Sequence, residues 1–189
     1  DAHADLHTPY TTPSGNVHGM SLASVIGINN EENKINPVSE YEMELWNILK
    51  NTGGVGKKIE PENIVYMGLR SVEKQEEDLI TKHGIKNFSV SYLRENGVKN
   101  TIDEVISCFS GCDMIFLSFD VDSLDPTVSS GTGTPVENGF TENEMIEILD
   151  LLTKSNKISC MEITEINPTL DDRNKMSEAV ITMLDIASN

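Results

Sequence analysis

Short apolar runs alternate with segments of helical spacing along the chain, and this alternation is the main structural signal in the sequence. Four segments predict strands: apolar runs at 64–67 and 114–119, alternating apolar residues at 88–92, and a further segment at 158–163. The run 114–119 is the strongest, because a continuous apolar strand is typical of a parallel sheet that is covered on both faces.

Apolar residues that recur every three or four positions predict helices between these strands. The helical segments are 17–27, 40–50, 73–83, 101–109, 141–152 and 173–187. Thr101 with Glu104, and Thr141 with Glu144, have the spacing of a capping box at a helix start. Alternating strands and helices predict a single α/β domain over residues 1–189, with layered helices and a mostly parallel sheet.

Polar residues that could carry chemistry follow the predicted strands. They lie in segments 1–5, 70–73, 120–125 and 162–165, although the first follows a strand only if one precedes Asp1. Ligands of parallel α/β sheets bind at the carboxyl ends of the strands. We therefore expect the four segments to share one edge of the sheet.

Composition and charge narrow the possible functions. The chain has 14 Lys and Arg against 31 Asp and Glu, which gives a formal net charge of −17. Nucleic acid and anionic membrane surfaces are disfavoured as partners because both need basic patches, whereas a cationic substrate suits this charge. No apolar run approaches the length of a membrane span. Three cysteines without a close metal-binding spacing (Cys108, Cys112 and Cys160) favour a reduced, cytoplasmic protein.

Acidic residues alternate with other residues in two places. Asp1, His3 and Asp5 open the chain, and Asp120 and Asp122 end the strongest predicted strand. Alternate residues of an extended chain point to the same side, so each set could converge on an ion. Four carboxylates and an imidazole placed together need cations, which predicts a site for more than one metal ion. Such ligands favour Mn²⁺, Mg²⁺ or Fe²⁺, and the chemistry they predict is metal-assisted hydrolysis.

The chain opens directly on the first of these acidic residues, with no initiator methionine and no strand before it. A strand should lead into such a run of ligands. We therefore expect an N-terminal part of the natural protein to be missing.

Five motifs, in order along the chain, carry a family resemblance. They are DAHAD at 1–5, SGNVHG at 14–19, SFDVDSLDP at 118–126, GTGTP at 131–135 and EINP at 165–168. Together they resemble the signatures of the ureohydrolase family, which includes arginases and agmatinases. The form TTPSGNVHG at 11–19 resembles the arginase branch more than the agmatinase branch.

The resemblance implies a three-layer α/β/α fold around a mostly parallel sheet, here without its N-terminal strands. It implies two Mn²⁺ ions whose ligands include Asp1, His3, Asp5, Asp120 and Asp122. A further histidine ligand lies, in this family, in a Gly-Gly-Asp-His-type motif before the first motif. A hydroxide bridging the two ions would attack the guanidinium carbon of L-arginine, and the products would be L-ornithine and urea.

The resemblance also implies roles for other residues. Asp5 would orient the hydroxide, His18 would shuttle protons, and Glu165 would pair with the guanidinium, with Thr134 beside it. The remaining substrate contacts would be Thr12, Ser14 and Asn16 to the α-carboxylate, and Glu73 and Glu76 to the α-ammonium.

Two departures from the arginase pattern fall at the amino-acid end of the substrate. His7 stands where arginases usually have an asparagine that contacts the α-carboxylate, and Ser71-Val72-Glu73 stands where many have Asp-x-Asp. The alternatives are therefore an amidinohydrolase of agmatine or of another guanidino compound, and a non-catalytic metal-binding relative. The resemblance also implies a homo-oligomer, a trimer or a hexamer. Because a ligand and a strand are missing, we expect this chain alone to be inactive.

Overall fold

The computed structural model describes residues 1–187. Its strands are β1 (Val65–Met67), β2 (Lys86–Phe88), β3 (Ile115–Asp120) and β4 (Ile158–Thr164). Its α-helices are α1 (Ser21–Ile26), α2 (Glu40–Lys50), α3 (Lys74–His83), α4 (Val90–Asn96), α5 (Val98–Cys108), α6 (Glu142–Thr153) and α7 (Lys175–Ala187). Over the described part of the chain, no helix is long and apolar enough to cross a bilayer.

The strands form two small sheets. Strand β1 pairs with β2, and β3 pairs in parallel with β4, with Asp120 opposite Thr164 at the carboxyl end. The chain divides into two compact units, and each is described by itself below. The first contains Asp1–Ala2, Met67–Arg70 and the chain from Asn87, and the second contains His3–Tyr66 and Ser71–Lys86.

In the first unit, α6 packs against α5 and α7. The predicted capping box of α6 is confirmed, because the Thr141 hydroxyl accepts the Glu144 N–H and the Glu144 carboxylate accepts the Thr141 N–H at 2.8 Å. The apolar face of this helix is buried as its spacing predicts, through Met145, Ile148, Leu149 and Leu152. This burial holds the helix by the hydrophobic effect, at about 25 cal/mol per Å² of apolar surface.

The capping box predicted for Thr101 and Glu104 is wrong. Helix α5 begins at Val98, after the N-cap Gly97, so Thr101 lies inside the helix. Gly97 also ends α4, by donating its N–H to the Leu93 carbonyl at 2.8 Å, and its φ of 84° turns the chain directly into α5. The Thr101 hydroxyl then donates to the Gly97 carbonyl at 3.0 Å instead of capping a helix.

The strand predicted over 88–92 is also wrong beyond its first residue. Strand β2 ends at Phe88, and the Ser89 hydroxyl accepts the Tyr92 N–H at 3.1 Å, which starts α4. The Ser89 cap therefore starts a helix here, although Val90 and Tyr92 alternate as they would in a strand.

Strand β3 is confirmed, but the expected cover on both of its faces is not. Phe116 is 58% exposed and Met114, just before the strand, is 70% exposed. Among the described residues β3 has one partner strand, β4, so part of its apolar surface stays in contact with solvent.

In the second unit, α2 begins with a capping box formed by Ser39 and Glu42. It packs through Trp46, which lies in a buried cluster with Met20 and Ala23. Its other large apolar side chains are exposed: Tyr41, Met43, Leu45, Ile48 and Leu49.

Replacing Glu144 by glutamine is expected to lower the free energy of unfolding of the full-length protein by about 1 kcal/mol at pH 7. Glu144 caps α6, and it also accepts hydrogen bonds from Arg94 Nε at 2.7 Å and Nη2 at 2.9 Å. The Arg94 hydrogen bonds lower the pKa of Glu144 from its ordinary value of 4.5. Its contribution is therefore present above that value and is lost as the pH falls through the lower, folded-state pKa.

Urea denaturation at neutral and at strongly acidic pH measures this effect, because the difference between variant and wild type should shrink in acid. The control is Glu147→Gln, an exposed residue of the same helix. Equal unfolding free energies for the two variants at pH 7 would contradict the assignment.

Candidate active site

Two buried carboxylates stand at the carboxyl end of β3. Asp120 is the last residue of the strand, and Asp122 lies in the 3₁₀ turn Val121–Ser123 that follows it. Asp120 Oδ1 accepts the Asp122 N–H at 2.9 Å, and the two residues are only 7% and 2% exposed. The expected pair is therefore present, but a tight turn holds it rather than the alternation of an extended strand.

The charge of this pair is costly without a cation. The pKa of Asp120 is raised to about 7, first by burial and then by the negative charge of Asp122. A cation beside the pair would lower this cost, because it would stabilise both ionised carboxylates. Oxygen donors of this kind suit a hard divalent ion such as Mn²⁺ or Mg²⁺, so the residues present fit a metal site.

Asp1 joins the pair through the main chain. The Ala2 N–H donates to Asp122 Oδ1 at 2.9 Å, and a carboxylate oxygen of Asp1 lies within 4.8 Å of one of Asp122. Ala2 and Ala4 are fully buried, whereas the residues flanking them are partly exposed, so the predicted alternation of the first motif is confirmed.

Two contacts within the first unit bring parts of the polar segments together. The Arg70 N–H donates to the Ala2 carbonyl at 3.0 Å, which joins segment 70–73 to the first motif. Parallel pairing of β3 with β4 places Asp120 opposite Thr164, one residue before Glu165. Within the first unit, Ala2 therefore contacts both Arg70 and Asp122, and Asp120 pairs with Thr164. That all four polar segments share one edge of a sheet stays a prediction.

The Arg70 guanidinium is a positioning group, a role that the sequence did not predict for this residue of segment 70–73. It donates to the carbonyls of Asp122 and Val136, both at 2.8 Å, and of Gly68 and Glu137, both at 3.0 Å. Arg70 thereby fixes the turn that carries Asp122 and the loop before Phe140. Its position shortly after the predicted strand 64–67 was visible in the sequence, but its backbone partners were not.

The GTGTP loop links Asp122 to the last motif. The Thr134 hydroxyl donates to Asp122 Oδ2 at 3.3 Å, and the Gly131 carbonyl accepts the Asn167 N–H at 2.8 Å. A Cβ atom added at Gly133 would lie 3.7 Å from Glu165 Oε2. The first unit therefore brings Thr134 and Glu165 to the same region as the buried carboxylates.

In the second unit, Asp5 is held by its neighbours in an unusual backbone conformation. The Ser21 hydroxyl donates to Asp5 Oδ2 at 2.8 Å, and the Ala23 N–H donates to the Asp5 carbonyl at 3.1 Å. The φ angle is 56° at Asp5 and 63° at Glu165, a left-handed region that costs non-glycine residues about 1–2 kcal/mol. Strain of this kind is concentrated at functional sites, and both residues were predicted to be catalytic.

His3 and Ala4 of the first motif are anchored within the same unit as Asp5. His3 forms a parallel bridge with Ser71, and the buried Tyr66 hydroxyl donates to the Ala4 carbonyl at 2.5 Å. Sequence reasoning missed Tyr66 and Ser21, because no local pattern marks a side chain that supports a distant backbone.

His7 lies between two carboxylates of the α3 N-terminus. Its Nε2 is 3.2 Å from Glu73 Oε2 and 3.5 Å from Glu76 Oε2. Glu76 Oε1 also accepts the Leu6 N–H at 2.9 Å. The pKa of Glu76 is raised to about 8, first by burial and then by its hydrogen bond with Glu73. The structure thus joins three residues whose roles were predicted separately.

The loop that carries the remaining predicted residues is mostly exposed. Thr12 is buried, and its hydroxyl accepts the Gly15 N–H at 3.0 Å, whereas Ser14, Asn16 and His18 are exposed. The predicted residues divide between the units. Those in the first unit are Asp1, Asp120, Asp122, Thr134 and Glu165, and those in the second are His3, Asp5, His7, Thr12, Ser14, Asn16, His18, Glu73 and Glu76.

The sequence model of a protein family described as the arginase family matches residues 1–187. The chain belongs to the arginase family. It is 35% identical over 185 residues to an arginase from Bacillus subtilis (strain 168), covering 98% of this chain and 57% of that protein. It is 37% identical over 186 residues to an arginase from Staphylococcus aureus (strain COL), covering 97% of this chain and 56% of that protein.

A solved arginase structure shares the fold. The crystal structure of a Bacillus subtilis arginase superimposes with a TM-score of 0.86 at 34% identity, covering 99% of this chain and 59% of that one. This structural similarity confirms the predicted fold, the three-layer α/β/α arrangement of the arginase family. The chain spans little more than half the length of these relatives.

Proposed function

We propose that the full-length protein is an arginase-type hydrolase that converts L-arginine into L-ornithine and urea. The observation that carries the proposal is the buried Asp120 and Asp122 pair with Asp1 beside it, at the carboxyl end of β3, in a chain of the arginase family. The strongly acidic composition suits a cationic guanidino substrate.

The proposed metal ligands are Asp1, His3, Asp5, Asp120 and Asp122. Carboxylates with one imidazole favour Mn²⁺, and two ions would balance the four negative charges. When bound, such ions supply Lewis acidity and lower the pKa of water toward neutrality. The Ala2 N–H and the Thr134 hydroxyl would orient the Asp122 oxygens in that site.

The other catalytic roles are assigned by position. Asp5, fixed by the Ser21 hydroxyl, would accept a hydrogen bond from the attacking water and orient it. Glu165 would bind the substrate guanidinium in a planar, two-point contact, with Thr134 beside it. His18, whose side chain is exposed, would carry a proton to the leaving amine.

The amino-acid end of the substrate has its own proposed contacts. Thr12, Ser14, Asn16 and His7 are proposed to bind the α-carboxylate. Glu73 and Glu76 are proposed to face the α-ammonium, directly or through water.

One contact favours a second candidate substrate. His7 Nε2 already lies 3.2 Å from Glu73 and 3.5 Å from Glu76, so both carboxylates have a partner before any ammonium arrives. A guanidino compound without an α-amino acid group, such as agmatine or guanidinobutyrate, would not need them. Amidinohydrolysis of such a compound is therefore the second candidate.

Urea release by the full-length protein tests these proposals. We expect Mn²⁺-dependent urea release from L-arginine that falls to background after chelation and returns when Mn²⁺ is restored. Agmatine and guanidinobutyrate serve as matched substrates in the same assay. Turnover of either one with L-arginine inert would support the second candidate, and no urea from any of the three would indicate a non-catalytic relative.

Two further expectations concern the whole protein. We propose that it forms a homo-oligomer, a trimer or hexamer, and that it works in the cytoplasm. The odd number of cysteines, three, suits a reducing compartment. Light scattering of the full-length protein would measure its oligomeric state.

A further inference from the structure

The Arg70 guanidinium links three separate segments of the first unit through their main chain. Nε, Nη1 and Nη2 all donate hydrogen bonds to carbonyl oxygens. The accepting residues are Gly68, Asp122, Leu124, Val136 and Glu137. Because the donors of a guanidinium lie in one rigid plane, such a set of bonds fixes the acceptors relative to one another.

The main chain of Arg70 completes a ring of contacts around Asp122. The Arg70 N–H donates to the Ala2 carbonyl at 3.0 Å, and the Ala2 N–H donates to Asp122 Oδ1 at 2.9 Å. Arg70 Nη2 returns to the Asp122 carbonyl at 2.8 Å. Arg70 therefore holds the backbone of Asp122 directly and its carboxylate through Ala2.

The same nitrogen of Arg70 also reaches the loop that carries Thr134. Nη2 donates to the Val136 carbonyl at 2.8 Å, and the Thr134 hydroxyl, two residues earlier, donates to Asp122 Oδ2 at 3.3 Å. Pro135 joins the two residues, and its ring fixes the φ angle between them. Arg70 thus positions the loop from which Thr134 contacts the second oxygen of Asp122.

These contacts give Arg70 a role in metal binding, because Asp122 is one of the proposed ligands. A ligand carboxylate binds its ion well only if groups that do not touch the ion hold it in the binding geometry. We propose that Arg70 is a positioning residue of the metal centre, which fixes Asp122 and Thr134 relative to each other and thereby determines the Mn²⁺ affinity of the full-length protein. The inference rests on the proposed function and deepens it.

The charge of Arg70, taken alone, would have the opposite effect. A cationic side chain close to a cation site repels the ion, so removal of its charge would strengthen Mn²⁺ binding. Loss of positioning would weaken Mn²⁺ binding, because Asp122 is 2% exposed and its carbonyl would lose the Arg70 hydrogen bond in a buried turn. The sign of the change in affinity therefore separates the two roles.

Mn²⁺ binding by the full-length protein tests the proposal, with free Mn²⁺ measured by electron paramagnetic resonance after equilibrium dialysis. Arg70→Gln, which removes the charge, and Arg70→Lys, which keeps the charge without the planar fork, are each expected to raise the Kd for Mn²⁺ about 10–100-fold. The matched controls are Arg173→Gln and Arg173→Lys, since the Arg173 side chain is 88% exposed. Both controls are expected to keep the wild-type Kd.

A third variant tests the loop without altering Arg70. Thr134 is exposed, so Thr134→Val should fold as the wild type does, which circular dichroism would check. Because this variant removes the hydroxyl that contacts Asp122 Oδ2, its Kd for Mn²⁺ is expected to rise a few-fold.

The results that would overturn the inference differ from those that would overturn the proposed function. A wild-type or lower Kd in folded Arg70→Gln and Arg70→Lys would show that Arg70 does not position the metal centre. If neither Arg70 variant folds, a wild-type Kd in Thr134→Val would overturn the inference instead. Absence of Mn²⁺ binding by the wild-type protein would overturn the proposed function and this inference together.

Discussion

Replacing Asp122 by asparagine in the full-length protein is expected to reduce Mn²⁺-dependent urea release from L-arginine at least about 100-fold, since even groups that only support a metal ligand cost 10–100-fold when removed. Asp122 is 2% exposed, and its Oδ1 accepts the Ala2 N–H at 2.9 Å. Asparagine keeps that oxygen, so the local fold should survive. The amide nitrogen that replaces Oδ2 cannot bind a hard cation.

The measurement is kcat/KM together with bound Mn²⁺ per chain. The matched control is Asp113→Asn, an exposed residue just before β3, at the end of the strand opposite to Asp122. Wild-type activity and metal content in Asp122→Asn would remove Asp122 from the proposed ligand set. A loss of activity with full metal content would instead limit its role to the substrate or to the attacking water.

Replacing Gly68 by alanine is expected to destabilise the protein by about 2–5 kcal/mol, the sum of a backbone cost and an overpacking cost. Gly68 has a φ of 83°, and a Cβ atom there would lie 2.5 Å from Cε2 of Phe140. Phe140 is 1% exposed, and its N–H donates to the Ser123 carbonyl at 3.0 Å, so its ring and backbone have little room to move.

Gly84→Ala isolates the overpacking part of this effect. Gly84 also has a positive φ, 63°, but a Cβ atom there would meet nothing within 4 Å. Urea denaturation of both variants should therefore give a cost of about 1–2 kcal/mol for Gly84→Ala and a larger cost for Gly68→Ala. Equal costs would show that the contact with Phe140 relaxes freely.

Local patterns succeeded where the neighbouring chain agreed with them. Thr141 and Glu144 form the predicted capping box, and the buried face of α6 follows its spacing. The same spacing at Thr101 failed, because Gly97 starts the helix earlier. A motif of two residues therefore predicts a helix start only if no stronger signal precedes it.

The candidate site also combines features that the sequence predicted with features that it did not. The sequence identified the alternating acidic residues, and five ordered motifs indicated a resemblance to the arginase family. It did not predict that Asp122 lies in a 3₁₀ turn, that Arg70 holds this turn by backbone carbonyls, or that His7 sits between Glu73 and Glu76. The last two features depend on partners far away in the chain, whereas the turn itself is held locally by the bond from the Asp122 N–H to Asp120 Oδ1.

The sequence by itself determined the chemistry available to this protein: its acidic charge, its metal-type ligands and the strands and helices that carry them. These follow from residue identity and from interactions within a few positions. Only the tertiary structure decided which groups are buried, and burial sets the raised pKa values of Asp120 and Glu76. It also decided that His7 meets the Glu73 carboxylate, 66 residues away along the chain. The physical reason is that desolvation and side-chain contact depend on the packing of distant segments, which local patterns do not encode.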